Sequence, residues 1–413
     1  MTTYRASWIV PIAGPPLRDG WVSTEGGRIV GVGGGGPDAG PAVDVDLGDV
    51  AVMPALVNAH THLELSWLRG RVQPRDTFID WVSSLMAQRP SPSVNTGVDA
   101  DRDGLRQGMA AALAEMKASG TGVAGDVSNS LAGLDLLAAS GLGGVMFHEI
   151  LRFNVGDAAE FVTRAQERVA AAQIGFPWQV ALAPHAPYSV STATFAAIRA
   201  TREPDRWVPT AVHVGESQEE MEMLRSGGGP WRAMLESMGA WNPGWVAPGC
   251  GPVEYLDRLD FWDARALAVH GVHLSDPELA TLARRRATLV TCPRSNAWVG
   301  AGVPPVQRFF DSGVRVAVGT DSLASVADLN LFAELAELRR LAPGVPAGHW
   351  LACATRNGAD ALGLGDDYGT IAPGKRAAFI AVEIPAGTVD VEQYLVSGIG
   401  PESVHWVEPL SPC

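Results

Sequence analysis

A chain of 413 residues is long enough for one catalytic domain of about 250 residues plus a smaller companion. Apolar residues make up 46% and aromatic residues 7%, yet no apolar run approaches the roughly 18 residues of a membrane helix, so no membrane span is expected. The formal net charge is −14, with no Lys/Arg cluster interleaved with aromatics, which argues against a nucleic-acid polymer as partner.

The first residues, MTTYRASWIVPIAGPP, lack the basic start, long apolar stretch and cleavage site of an export signal, and a cytoplasmic protein is expected. Residues 1–50 alternate in a strand-like way. The glycine tract GVGGGGPDAG (31–40) has neither a GK[ST] ending nor a following helix start, so it reads as a hairpin loop rather than a phosphate cradle. From residue 51 onward, eight apolar or β-branched runs alternate with helical patterns: 51–60, 121–127, 142–150, 179–185, 210–216, 266–271, 287–293 and 315–321. Between them lie helices such as GLRQGMAAALAEMKASG, stopped by Gly120, and TATFAAIRATRE, opened by Ser191. The expected fold is α/β, a (β/α)8 TIM barrel over 51–363. Segments 1–50 and 364–413, rich in Gly, Pro and Val, are expected to pair into a small β-sandwich. Cys250, Cys292, Cys353 and Cys413 show no CxxC spacing, so free thiols are expected. The expected partner is a small-molecule substrate, and a homodimer is the one assembly left open.

Six of the nine histidines, His60, His62, His185, His213, His270 and His273, fall at or just past the ends of predicted strands. That is the face on which βα barrels build active sites. His60 and His62 are two apart on a strand, so their side chains emerge on one side and can share an ion. Taken alone, the pair reads equally as two core or surface histidines in a turn. His213 and Glu216 form HxxE at the end of the fifth run, and Asp321 ends the eighth in GTDS. Three imidazoles and a carboxylate suit one borderline divalent ion, Zn2+ or Fe2+, with a position left for water. Glu216, one helical turn beyond His213, reads alone as a solvated helix-start residue. Within this constellation it becomes a proton carrier between water and a leaving amine. A second metal needs a bridging carboxylate or carbamylated lysine at the end of the fourth run, which reads APHAP, and no lysine lies between Lys117 and Lys375. One metal is expected, with Glu149 the remaining carboxylate alternative.

The motifs MPALVNAHTH, LAPHAPYSVS, VHVGESQEE, AVHGVHLS, TCPRSNAWVG, VAVGTDSLAS and the closing GTIAPGKRAAFI together resemble the amidohydrolase superfamily, in its one-metal cytosine deaminase and chlorohydrolase-like branch. The likeness runs essentially end to end. It implies that His60, His62, His213 and Asp321 hold the metal, that Glu216, His270 and Asp321 handle protons, and that water activated by the metal attacks an amidine carbon with loss of ammonia. His273 is expected to be a structural hydrogen-bonding partner. HTHLELS, FIDW (78–81) and ESQEE are most similar to the aminodeoxyfutalosine deaminases of menaquinone synthesis. On that resemblance Glu64 either binds ribose hydroxyls or caps a loop, and Phe78 and Trp81 either cover the base or fill a helix core. His185 and Ser322 face substrate. The benzoate of such a substrate calls for a cation, for which Arg69, Arg71, Arg75, Arg152 and Arg294 are the candidates. The competing expectations are a deaminase of S-adenosylhomocysteine, methylthioadenosine, adenosine, guanine or cytosine, a triazine-type chlorohydrolase, and a catalytically silent scaffold.

Overall fold

A computed structural model of the protein describes residues 1–35, 40–88, 98–203 and 205–408; the centre of the glycine tract (36–39) and Cys413 lie outside them. Each of the eight expected runs contains a parallel strand. Leu56–Thr61, Thr121–Ser128, Gly143–Ile150 and Gln179–Pro184 form one four-stranded sheet, and Thr210–Val214, Ala266–His270, Thr288–Thr291 and Arg315–Val318 form another. Backbone hydrogen bonds link the two sheets at both edges. His213 donates its backbone N–H to the carbonyl of His185 (2.9 Å), and Asp321 donates its own to that of His60 (3.1 Å). The strands are buried on both faces, which is why they are rich in Val, Ala and Leu. Alternate residues enter different cores: Val57, Ala59, Val123 and Phe147 join one inner cluster, whereas Leu56 and Val212 join the layer beneath the helices.

The local signals for the helices hold. Ser191 caps Thr192–Ala200, its hydroxyl accepting from the Thr194 N–H (3.0 Å), and Gly120, at φ 84°, turns the chain just beyond Val98–Ala118. Among the described residues no helix is long and apolar enough to cross a membrane.

One expectation changes. The run 51–60 is not one strand, since Val50–Pro54 belongs to the terminal sheet and only Leu56–Thr61 to the parallel array. The break falls at Ala55, whose N–H goes to the carbonyl of Ala378 (3.0 Å), while that of Leu56 goes to Gly120 (2.9 Å). Successive donors thus serve different sheets. The terminal segments join one hydrogen-bonded seven-stranded sheet. Val50–Pro54 lies between Thr2–Ile9 and Phe379–Glu383 and ties the N-terminal strands to the C-terminal ones in a single ladder. Ile9, Val22, Val52 and Phe379 bury its inner face.

Candidate active site

The histidines meet where the parallel strands end. His60 lies in the first strand and His62 just beyond it, where the Leu63 N–H is fixed by Asp126 (2.8 Å) at the start of a short 3-10 turn. The ring centres of His60 and His62 are 4.9 Å apart, those of His60 and His213 5.0 Å, and those of His213 and His270 5.3 Å. Asp321 Oδ1 sits 3.9 Å from His60 Nε2 and 3.8 Å from His62 Nε2. Its Oδ2 accepts hydrogen bonds from the hydroxyls of Ser295 (2.6 Å) and Ser325 (3.0 Å), which turns Oδ1 toward the imidazoles. His270 and Asp321 both have positive φ, 76° and 60°, a conformation that costs a non-glycine residue free energy and clusters at functional sites.

The donor set fits a divalent ion. Both ring nitrogens of His60 are buried without a hydrogen-bond partner among the described residues, and burial, reinforced by His62 and His213, holds its pKa well below the usual histidine value. A neutral imidazole with no protein partner for its lone pair is what a metal requires. His213 Nδ1 donates to the carbonyl of His185 (2.8 Å), with Glu149 Oε1 3.6 Å away on the same side, so the proton stays on Nδ1 and Nε2 is left to bind. His60, His62 and Asp321 offer atoms within 4.8 Å of one another, as do His60, His213 and His270. Glu149, His185 and His213 form a third such group, but Glu149 also accepts from Asn129 Nδ2 (2.9 Å). For Asp321, burial raises the pKa, but His62, His270 and the Ser295 hydroxyl outweigh it and the carboxyl ends below its usual range. Glu216 goes the other way. Burial, then the charges of Asp321 and Glu220, push its carboxyl well above the usual value, and its Oε1 lies 3.5 Å from His270 Nε2. Two neighbouring acids with opposite shifts suit one to accept a proton and the other to donate one.

A cavity of about 290 Å³ opens over this cluster. His62, His213, His270, Asp321 and Glu216 form its floor. The wall is apolar: Phe78 and Trp81 from helix Phe78–Gln88, Trp231 and Met234 from helix Pro230–Ser237, and Tyr188, which stacks on Trp231 with ring centres 4.1 Å apart. A larger cleft of about 480 Å³, lined by Arg202, Arg206 and Arg265 beside Val180 and Thr210, contains none of these histidines.

Trp81, His185 and Ser322 line the cavity, as does Phe78, so the FIDW residues serve core and wall together. Glu64 does not line it. Its carboxylate accepts from Ser128 Oγ (2.7 Å), the Asn129 N–H (2.9 Å) and Ser130 Oγ (2.7 Å), the loop-capping alternative. None of the candidate arginines is among the residues that line the cavity, and no other arginine among the described residues is. Arg294 forks onto Asp328 (2.9 and 2.8 Å), Arg69 pairs with Glu115, and Arg75 donates to Ser84 (3.1 Å). Arg71 and Arg152 lie over the rings of Trp67 and Phe161. His273 is held by Gln218 (2.9 Å) and the Ala301 carbonyl (2.7 Å). Sequence reasoning missed Ser295, Asn296 and Tyr188, although TCPRSNAWVG and LAPHAPYSVS contain them, and it missed Trp231, for which no strand-end motif gave a signal.

The family model for the amidohydrolase family matches residues 51–398. A 5-methylthioadenosine/S-adenosylhomocysteine deaminase of Desulforudis audaxviator is 29% identical, over 95% of this chain and 91% of that protein. An aminodeoxyfutalosine deaminase of Deinococcus radiodurans is 31% identical, over 76% of this chain and 73% of its own length. Among solved structures, an adenosine deaminase from Xanthomonas campestris with bound zinc superposes with a TM-score of 0.78 at 28% identity, covering 98% of this chain and 90% of that one. The strand-end histidines, the paired acids and these matches agree: the chain belongs to the amidohydrolase family and is a hydrolytic deaminase.

Proposed function

We propose that the protein deaminates a 6-aminopurine nucleoside, with 6-amino-6-deoxyfutalosine, converted to futalosine and ammonia, as its substrate. The observation that carries this reading is a cavity whose floor is a buried His/Asp/Glu cluster and whose wall is aromatic and methionine-rich. The floor matches hydrolysis at an aminopurine carbon, and the wall matches an aryl group extending from the ribose. Relatives that carry the aminodeoxyfutalosine and methylthioadenosine names add support. We read the two parallel sheets as halves of one (β/α)8 barrel over 51–363, as the family implies.

His60, His62, His213 and Asp321 would hold one divalent ion, whose Lewis acidity makes water nucleophilic near neutral pH. Asp321, held ionised, takes a proton from the attacking water. Glu216, held protonated by burial, gives its proton to the ring nitrogen as the water oxygen bonds to C6. The C6–N bond then breaks. The proton held by Asp321 leaves on the amine as ammonia, and Glu216 regains one from the new hydroxyl as the carbonyl forms, so the water supplies both protons. With no arginine among the described residues that line the cavity, the benzoate carboxylate would meet solvent, beside the exposed lining residues Met86, Leu151 and Met238.

The apolar wall also suits a methylthio group, so methylthioadenosine is the second reading. Ammonia release, measured as kcat/KM for aminodeoxyfutalosine, methylthioadenosine, S-adenosylhomocysteine, adenosine, guanine and cytosine, decides between them. Aminodeoxyfutalosine is expected first. A higher value for any other member overturns the substrate, and no release from any of them overturns the reaction.

A further inference from the structure

His270 ends the sixth strand and Asp321 follows the eighth, yet both are aimed from the segment that follows the seventh. The short helix Pro293–Trp298, which follows Thr288–Thr291, carries two adjacent polar residues with no exposure, Ser295 and Asn296. Ser295 donates to Asp321 Oδ2, and Asn296 Nδ2 lies 3.0 Å from His270 Nδ1. Asn296 Oδ1 is buried as well and has no partner among the described residues. The helix is itself anchored, with the Arg294 N–H donating to Glu334 (3.2 Å) and its guanidinium gripping Asp328.

We infer that Asn296 is a positioning residue that sets the tautomer of His270: its amide N–H occupies the Nδ1 lone pair, which places the ring proton on Nε2, toward Glu216. Two observations choose this orientation. Turning the amide over would put its NH2 group where nothing accepts, and a buried unpaired N–H is rarer than an under-satisfied carbonyl. Also, Nε2 faces Glu216 Oε1 at 3.5 Å, an oxygen that an N–H can address. An imidazole protonated on Nε2 has no lone pair toward the cavity. His270 therefore donates a hydrogen bond there, to the oxygen arriving at the reacting carbon, and does not join His60 and His213 as a ligand although its atoms lie within 4.8 Å of theirs.

The deaminase reading enters only through the activity assay; the tautomer is read on the protein alone. Zinc-loaded protein carrying 15N-histidine, with His270 assigned from its loss in His270→Gln, should show the Nε2–H tautomer by NMR. Asn296→Asp presents an acceptor and should move the proton to Nδ1, whereas Asn296→Ala should leave a mixture. In both variants kcat should fall roughly tenfold to a hundredfold, the usual effect of losing a partner that orients a site imidazole. KM should stay within about twofold and zinc should be retained. An Nδ1–H tautomer in the wild type, an unchanged tautomer in Asn296→Asp, or full kcat in both variants overturns the inference. Absence of any turnover in the wild type, with the tautomers as expected, counts instead against the deaminase reading.

Discussion

Replacing Glu220 with glutamine isolates the free energy of a buried acid next to the site. Glu220 is fully buried at the third position of helix Gln218–Ser226, where Ser217 is the cap. Its Oε2 accepts the Glu216 N–H (3.0 Å), and its Oε1 has no partner among the described residues. Burial raises its pKa to about 8 from an ordinary 4.5, against the backbone N–H groups of Gly215, Glu216 and Ser217, which lower it. The folded protein therefore keeps a proton that the unfolded chain releases. This contribution to stability is fully present below pH 4.5 and is lost as the pH rises through about 8. Between pH 5 and 7.5 the loss is about 2.5 pH units at about 1.4 kcal/mol each, or roughly 3 kcal/mol. Glutamine does not titrate, and groups that do not feel the Glu220 charge cancel in the difference between the two proteins; Glu216, whose pKa that charge raises, adds a smaller part to the same difference. Urea unfolding of wild type and Glu220→Gln at pH 5, 6, 7 and 7.5 should show the gap moving toward the variant by that amount. A gap that stays constant, or that moves toward the wild type, refutes the argument.

His60→Ala should lose metal and turnover together, and metal analysis of the wild type should find one ion per chain; a metal-replete, active His60→Ala protein contradicts the ligand assignment. Glu216→Gln should keep its metal and lose at least about a hundredfold in kcat, the lower range for a positioned acid or base, in a steady-state ammonia assay. Ser295→Ala removes one of two hydroxyls on Asp321 Oδ2 and should weaken metal retention about tenfold or more in a chelator competition. Trp231→Ala should raise KM for aminodeoxyfutalosine more than for adenosine, since it deletes the ring stacked on Tyr188; equal effects on both substrates would remove that wall from specificity.

The parallel array and its chemistry were legible because both are written locally. Each buried strand is a short apolar run, and His60, His62, His213, His270 and Asp321 mark strand ends where backbone direction alone brings side chains together. What stayed hidden depends on distance. Whether Arg294 is free cannot be read beside Asn296, because Asp328 and Glu334 arrive from another part of the chain. Likewise the division of 51–60 between two sheets depends on Ala378 and Gly120, residues far apart in the sequence. Trp231 enters the cavity from a helix inserted between the fifth and sixth strands, where nothing nearby in the sequence reveals that it stacks on Tyr188.

Floor and wall come from different kinds of chain. The reacting groups sit on or just after parallel strands locked into the core, whereas much of the wall rests on two helices, Phe78–Gln88 and Pro230–Ser237, inserted between strands. A replacement of either helix leaves the strand ladders and the Asp321 hydroxyl clamp in place. Substrate range is thus separable from bond chemistry in this molecule, and grafting these two segments from a relative with a different preference is the shortest route to retargeting it while leaving the proton-transfer residues alone.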